Sequence, residues 1–129
     1  FKESIDFDKD HFQTVFFDFD QHSIRPSEEP AINFNIQQAI EASKDGALRV
    51  AGHSDSHFVS ELYNIAKSEK RAREVARRLE AAGVDPQRIK VVAYGDKIKA
   101  VDSPGKDQRN RRVEIIKIVE DSEADTVSV

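Results

Sequence analysis

Hydrophobic residues along the chain follow two different periods, which predict alternating strands and helices. Aromatic and β-branched residues dominate 12–19, and short apolar runs recur at 47–52, 89–94 and 112–119, so we expect four strands. Between the strands, apolar residues recur every three to four positions, which indicates one-sided helices. The first helix carries the stripe Ile32, Ile36, Ala39 and Ile40. The second, expected at 61–82, carries Leu62, Ile65, Ala66, Ala72, Val75, Ala76 and Leu79.

The predicted order is β-α-β-α-β-β, which is typical of an α/β fold. Two helices on one sheet make a two-layer sandwich, and each β-α-β crossover makes its strands parallel if both lie in that sheet. The last strand can return antiparallel, so we expect a mixed sheet with two main helices on one face. Residues 12–119 form the expected domain, 1–11 an N-terminal arm and 120–129 a flexible acidic tail.

Composition excludes several functional classes. The chain has no cysteine, so it has no disulfide framework, thiol nucleophile or cysteine-based metal site. A net charge of -4 argues against a nucleic-acid partner. The longest unbroken apolar run, Val91 to Tyr94, is too short to cross a membrane. Because the chain begins at Phe1, we expect any signal peptide or membrane anchor to lie outside it.

The segment after the second strand carries the first candidate chemistry. His53, Asp55 and His57 alternate, so on an extended segment all three would face one way, as two histidines and a carboxylate that suit zinc or iron(II). This pattern leaves open a metal-dependent hydrolase. Against it, Gly52 favours a turn at this point, and no further ligand set is apparent elsewhere in the chain.

The second interpretation joins Asp55 to the following helix. Asn64 and Arg71 are seven residues apart and therefore lie on one helical face. A carboxylate and a guanidinium across a groove complement a zwitterion, because the carboxylate accepts an ammonium and the arginine binds a carboxylate in bidentate fashion. The simpler interpretation is that Arg71 only pairs with Glu69 or Glu74 on a solvated helix surface.

Five short motifs occur in an order that resembles the OmpA-like peptidoglycan-binding domain. Each motif is weak alone, but five in register are specific, and together they span nearly all of 12–119. They are Val15-Phe16-Phe17-Asp18-Phe19-Asp20, Gly52-His53-Ser54-Asp55, Tyr63-Asn64 with Ser68 and Arg71-Ala72, Tyr94-Gly95, and Asn110-Arg111-Arg112-Val113-Glu114-Ile115.

The resemblance implies reversible binding of peptidoglycan in the periplasm, without catalysis or a cofactor. The ligand it implies is the meso-diaminopimelate residue of the stem peptide, and the domain would tether an outer-membrane or envelope protein to the cell wall. By motif position, Asp55 and Arg71 hold the charged ends of that residue, and Asn64 shapes the groove. Further envelope proteins are expected as partners. An interaction domain with a vestigial groove is a further alternative.

The remaining motif positions are expected to build the edges of the groove. Phe19 and Asp20 match a family position whose backbone lines it, and Ser54 replaces the usual threonine while keeping the hydroxyl. The run 110–112 is expected to support the fold and the groove edge.

The loop after Asp55 departs from the family pattern, because it lacks the common glycine and is one residue longer. Lys67 also stands where the family usually has leucine. We expect the added pair His57-Phe58 either to contact the ligand or to cover the groove.

Overall fold

The computed structural model describes residues 3–5 and 11–120, which form a mixed sheet with two helices packed on one face. The strands are β1 (Glu3–Ile5), β2 (Val15–Phe16), β3 (Ala47–Gly52), β4 (Ile89–Ala93) and β5 (Arg112–Glu120); the main helices are α1 (Glu29–Ala42) and α2 (Glu61–Ala81). No helix in these two ranges is long and apolar enough to cross a membrane.

The sheet has the order β1-β5-β3-β4, and β2 pairs with the first residues of β5. Strands β3 and β4, joined by α2, are parallel, whereas β5 runs antiparallel to β1, β2 and β3. The predicted α/β class, mixed sheet and two-helix layer are therefore confirmed. Because β5 lies between β2 and β3, its first residues meet the carboxyl ends of both strands.

The N-terminal part of the chain differs from the expected arm and long first strand. Residues 3–5 of the expected arm form β1, in which Ile5 lies opposite Ile118; residues 1–2 and 6–10 lie outside the described part. The strand expected at 12–19 is reduced to β2, because the chain turns at Asp18 to Gln21, where Gln21 N donates to Asp18 O at 3.1 Å. Of the expected acidic tail, residues 121–129 lie outside the described part, and Glu120 ends β5.

The hydrophobic core lies between the sheet and the two helices. Alternate residues of β3 and β5 point into it, because side chains along a strand alternate between its two faces. Burying each large apolar side chain stabilises the fold by roughly 1.5–3 kcal/mol. The core includes Val15, Phe17, Ile32, Ala39, Leu48, Val50, Val75, Leu79, Val113 and Ile115.

Both predicted apolar stripes are wrong at one end. Ile40 is 37% exposed and Leu62 is 80% exposed. Besides its apolar residues, α1 also buries a polar one, Asn35, which is fully enclosed. In the first half of α2 the buried side chains are Asn64, Ser68 and Arg71, all polar. A helix that buries polar groups near the end of β3 marks the place to look for a site.

Candidate functional site

A small pocket lies beyond the carboxyl ends of β2 and β3, above the first half of α2. Its cavity volume is about 10 Å³, roughly the space that a single water molecule needs. Its walls come from the turn after β2, the loop after β3 and three turns of α2. The lining residues are Asp20, Ser54, Asp55, Phe58, Tyr63, Asn64, Lys67 and Arg71. Five of the six residues expected at the site thus line one pocket; the sixth, Phe19, packs beside it.

Two close contacts of Ser68 fix the position of α2 against the ends of β3 and β4. A Cβ atom on Gly52 would lie 1.9 Å from the carbonyl oxygen of Ser68, so only glycine allows β3 to end against the helix. The Ser68 hydroxyl accepts a hydrogen bond from Gly95 N at 2.9 Å, which holds the end of β4 to the same helical turn. The glycines of two family motifs therefore serve packing around the site.

Arg71 lies at the base of the pocket and is 1% exposed. Its guanidinium donates to three backbone carbonyls: Gln21 O at 2.7 Å, His53 O at 3.1 Å and Asp18 O at 3.4 Å. Burial lowers the pKa of Arg71 to about 10, and the negative charge of Asp55 opposes that shift only in part. The alternative partners on the helix surface are used elsewhere, since Glu69 pairs with Arg73 and Glu74 with Arg77.

Asp55 is 5% exposed, and its ion-pair partner is not Arg71. Its Oδ2 atom accepts from Arg111 Nη1 at 2.8 Å and from the backbone N–H of Asp107 at 3.1 Å. Arg111 Nε donates in turn to Phe17 O at 2.9 Å. The carboxylate is thus held by the segment just before β5, while Arg71 is held by the turn after β2 and by the first residue after β3.

Asp20 closes one side of the pocket in a strained backbone conformation, with a φ of 56°. Its carboxylate accepts from the Tyr63 hydroxyl, and Lys67 Nζ donates to its carbonyl oxygen at 3.1 Å. The hydrogen bond from Tyr63 is the main reason why the pKa of Asp20 is lowered, with a further contribution from the charge of Lys67. Two side chains of α2 therefore hold this turn against the helix.

The other expected residues support the loop after β3. Asn64 lines the pocket, and its Nδ2 donates to Phe58 O at 2.8 Å, which ties the loop to α2. Ser54 N donates to Gly95 O at 2.8 Å, and its hydroxyl is buried without a hydrogen-bond partner in the described part of the chain.

Four aromatic side chains, Phe19, His57, Phe58 and Tyr63, pack together at the mouth of the pocket; we call this group the aromatic cover. Phe58 stacks on Phe19 with ring centroids 5.7 Å apart and contacts Tyr63 at 4.7 Å. His57 packs edge-on against both phenylalanines at 4.9 Å. Of the pair His57-Phe58, only Phe58 lines the pocket, while His57 is exposed and packs on the outer side of the ring group.

The model of the OmpA family matches residues 16–113, which include every lining residue of the pocket. The chain belongs to the OmpA family. The match spans the described elements from β2 to the start of β5, so the family assignment and the fold concern the same part of the chain.

Several curated relatives of this OmpA-family domain are named as peptidoglycan-associated lipoproteins or outer-membrane proteins. The peptidoglycan-associated lipoprotein of Legionella pneumophila is 34% identical over 110 residues, which are 82% of this chain and 60% of that protein. Outer membrane protein A of Bordetella avium is 36% identical over 104 residues, or 78% of this chain and 52% of that protein. These relatives place the domain in the periplasm, associated with the outer membrane.

Solved structures show the same fold. The peptidoglycan-associated lipoprotein of Burkholderia pseudomallei superposes with a TM-score of 0.71 at 25% identity, covering 81% of this chain and 88% of that one.

One curated sequence relative is a different kind of protein. Photosystem I P700 chlorophyll a apoprotein A2 of Gloeobacter violaceus is 31% identical over 81% of this chain but only 13% of its own length. The chain spans at most 60% of these three curated relatives, so the similarity is that of a shared domain.

The three candidate metal ligands of the loop after β3 do not gather in this domain. His53 is 2% exposed and stacks on Tyr94 at 5.3 Å, on the side of Glu114, whereas Asp55 pairs with Arg111. Within residues 3–5 and 11–120, no group of three or more histidines and carboxylates could hold a metal ion. The geometry of these residues therefore contradicts the metal site on which the hydrolase alternative depends.

Three residues at the site were not among those expected to bind ligand. Tyr63 and Lys67 line the pocket, and Arg111 holds Asp55. A helical-face argument could have found the first two, because they lie eight and four residues before Arg71 on α2, close to two turns and one turn away. Arg111 is distant in sequence, and only the pairing of β2 and β3 with β5 brings it to the loop.

Proposed function

We propose that this domain binds peptidoglycan non-covalently through the diaminopimelate residue of the stem peptide, and so tethers an envelope protein to the cell wall. Binding is reversible and breaks no covalent bond. Membership in the OmpA family and the peptidoglycan-associated lipoproteins among the relatives support this proposal.

The proposal rests on Arg71, a buried cation that makes no direct ion pair in the described part of the chain. None of the ion pairs within residues 3–5 and 11–120 includes Arg71, although its side chain is almost fully buried. A buried cation without a direct counter-charge is costly, which is why its pKa falls to about 10. A guanidinium has five N–H donors, so those not bound to carbonyls can donate to a ligand carboxylate. That carboxylate would supply the missing negative charge.

The opposite wall of the pocket provides for the ammonium group of the ligand. Both hydrogen bonds that Asp55 makes in the described structure end on Oδ2, which leaves Oδ1 as an acceptor. Two carboxylates, of Asp20 and Asp55, and two cations, of Lys67 and Arg71, line the pocket. A ligand with one positive and one negative group, such as the free end of diaminopimelate, fits this balance of charge.

A small pocket of this kind is expected to bind its ligand only modestly. A protein fixed at the envelope meets many identical sites on the wall, and the high effective concentration raises the overall avidity, often by roughly 10²–10⁴-fold. Tethering therefore needs no tight single site.

Co-sedimentation with purified sacculi tests the proposal. We expect Asp55→Asn and Arg71→Lys to reduce the bound fraction strongly. The first removes the negative charge, and the second keeps the positive charge but removes the bidentate geometry, while both roughly preserve side-chain size. Arg73→Ala is the matched control, because Arg73 lies on the same helix with its side chain 65% exposed and paired with Glu69. Circular dichroism would establish that all variants are folded.

Binding by the two pocket variants at the parent level would refute the proposal. If the folded parent itself fails to bind sacculi and a soluble diaminopimelate-containing muropeptide, the alternative of a protein-interaction domain with a vestigial groove is favoured.

A further inference from the structure

The aromatic cover closes the pocket instead of framing it. Phe58 and Tyr63 belong both to the cover and to the pocket lining. The rings of the cover contact one another, and Lys106 Nζ lies 4.0 Å from the centroid of Phe19. Asp55 and Arg71 line the same pocket and are only 5% and 1% exposed. The free space beside these two charges is about 10 Å³, which is too little for the end of an amino acid.

The closed arrangement is held by contacts that cross the pocket. On one side is Asp20, whose carboxylate accepts from the Tyr63 hydroxyl and whose carbonyl oxygen accepts from Lys67 Nζ. The positive φ of Asp20 is costly for a residue other than glycine, so these bonds hold a strained turn in position. Breaking them would release the strain as well as the turn.

The other side of the cover belongs to a segment with exposed neighbours. Phe58 is tied to α2 through its carbonyl oxygen, which accepts from Asn64 Nδ2 at 2.8 Å. The next residue, Val59, is fully exposed. A side chain that is packed among rings but carried by an exposed loop can swing away without disturbing the core.

We propose that the aromatic cover is a gate, which must open before the ligand can enter and which limits the rate of binding. This inference rests on the proposed function, because it describes access to the same pocket. When only the open fraction of a protein binds, the apparent dissociation constant rises in inverse proportion to that fraction. The loop that departs from the family pattern thus lowers affinity and slows association in this chain.

Binding kinetics with a soluble muropeptide that carries a diaminopimelate tripeptide test the gate. We expect Phe58→Ala, which removes the central ring, and Tyr63→Phe, which removes only the hydrogen bond to Asp20, to increase the association rate constant roughly two- to tenfold. The dissociation rate constant should change less. Val59→Ala is the control, since this fully exposed neighbour lies outside the cover.

The opposite kinetic result would overturn the gate. If the association rate constant is unchanged or lower in both variants, or if only dissociation becomes faster, the rings are a wall that contacts the bound ligand. Such a result leaves the binding function itself intact, because the variants would still bind.

A measurement without ligand separates failure of the gate from failure of the proposed function. Exchange of the Arg71 Nε proton, which is bonded to Gln21 O beneath the cover, should be faster in Phe58→Ala than in the parent. The Val75 amide, in the core part of α2, should exchange at an unchanged rate. Equal exchange of Arg71 in both proteins would refute the gate. Faster exchange without muropeptide binding in any variant would refute the proposed function instead.

Discussion

Asp55 and Arg111 form a buried ion pair in which Oδ2 and Nη1 are 2.8 Å apart and the side chains are 7% and 10% exposed. Arg111 also donates to Phe17 O, so a single guanidinium joins the end of β2, the loop after β3 and the start of β5. The direct ion-pair partner of Asp55 is therefore Arg111 and not Arg71. Arg71 donates instead to backbone carbonyls and makes no direct ion pair in the described part of the chain.

Replacing Arg111 by methionine should destabilise the protein more than most single changes. The substitution leaves the Asp55 carboxylate buried without its partner, which typically costs about 3–5 kcal/mol. Urea denaturation would measure the loss in the free energy of unfolding. The double variant Asp55→Asn/Arg111→Met should recover part of that loss. A loss below about 1 kcal/mol in the single variant would show that the pair is solvated like a surface ion pair.

Gly52→Ala should displace α2 and strongly lower stability. The added methyl group would lie 1.9 Å from Ser68 O, a backbone atom that cannot move without its helix. Overpacking a rigid contact usually costs about 1–3 kcal/mol, and occasionally more. The control is Gly105→Ala, because a Cβ atom there meets nothing within 4 Å and the backbone needs no left-handed conformation. Equal thermal midpoints for the two variants would contradict this account of the β3–α2 contact.

The sequence pattern predicts the fold well and the burial of α2 poorly, for one physical reason. Strand and helix periods report which residues avoid water, and they correctly locate the core from Ala72 to Leu79. In the first half of the helix, Leu62 is exposed and Arg71 is enclosed, which is the reverse of what hydrophobicity predicts. Polar groups there are buried because backbone carbonyls of distant segments satisfy them. A helix pattern that fails in this way indicates a site.

The candidate site could be located from motif positions, but its contacts could not. The motifs bring Asp55, Asn64 and Arg71 to one pocket, as expected from the helical face and the end of β3. They do not reveal that Asp55 pairs with Arg111, since that contact joins residues 56 positions apart. The sequence of the loop after β3 also does not reveal whether the ring of Phe58 lines the groove or covers it. Such features depend on tertiary pairing, which local periodicity does not encode.

Asn35→Ala should cost about 2–4 kcal/mol, because two backbone groups would lose their partners. The amide of Asn35 accepts from Gln13 N at 2.8 Å and donates to Gln13 O at 2.9 Å, which joins the residues before β2 to α1. Asn33→Ala is the matched control, since Asn33 is an exposed asparagine on the same helix. Chemical denaturation of both variants tests the prediction. Similar losses would show that the amide of Asn35 is dispensable.

Stability should fall as the pH decreases from 7 to 5, because His53 is held neutral in the folded state. Burial, followed by the nearby charge of Arg112, lowers the pKa of His53 from 6.5 to about 4. Between these two values the unfolded chain binds a proton that the folded protein does not, so the free energy of unfolding decreases as the pH falls. At pH 5, which is one and a half units below 6.5, the loss in the free energy of unfolding amounts to about 2 kcal/mol.

The variant His53→Gln isolates this effect from the other titrating groups. Asp107, with its pKa lowered to about 2 by the hydrogen bond from Arg109, stays ionised throughout this range. Urea denaturation of parent and variant at pH 7 and pH 5 gives the pH dependence of each, whatever the variant loses in absolute stability. The parent should lose about 2 kcal/mol more than the variant between these pH values. Equal losses would mean that His53 is protonated in the folded protein, stabilised by Glu114, whose Oε1 lies 3.8 Å from its Nε2.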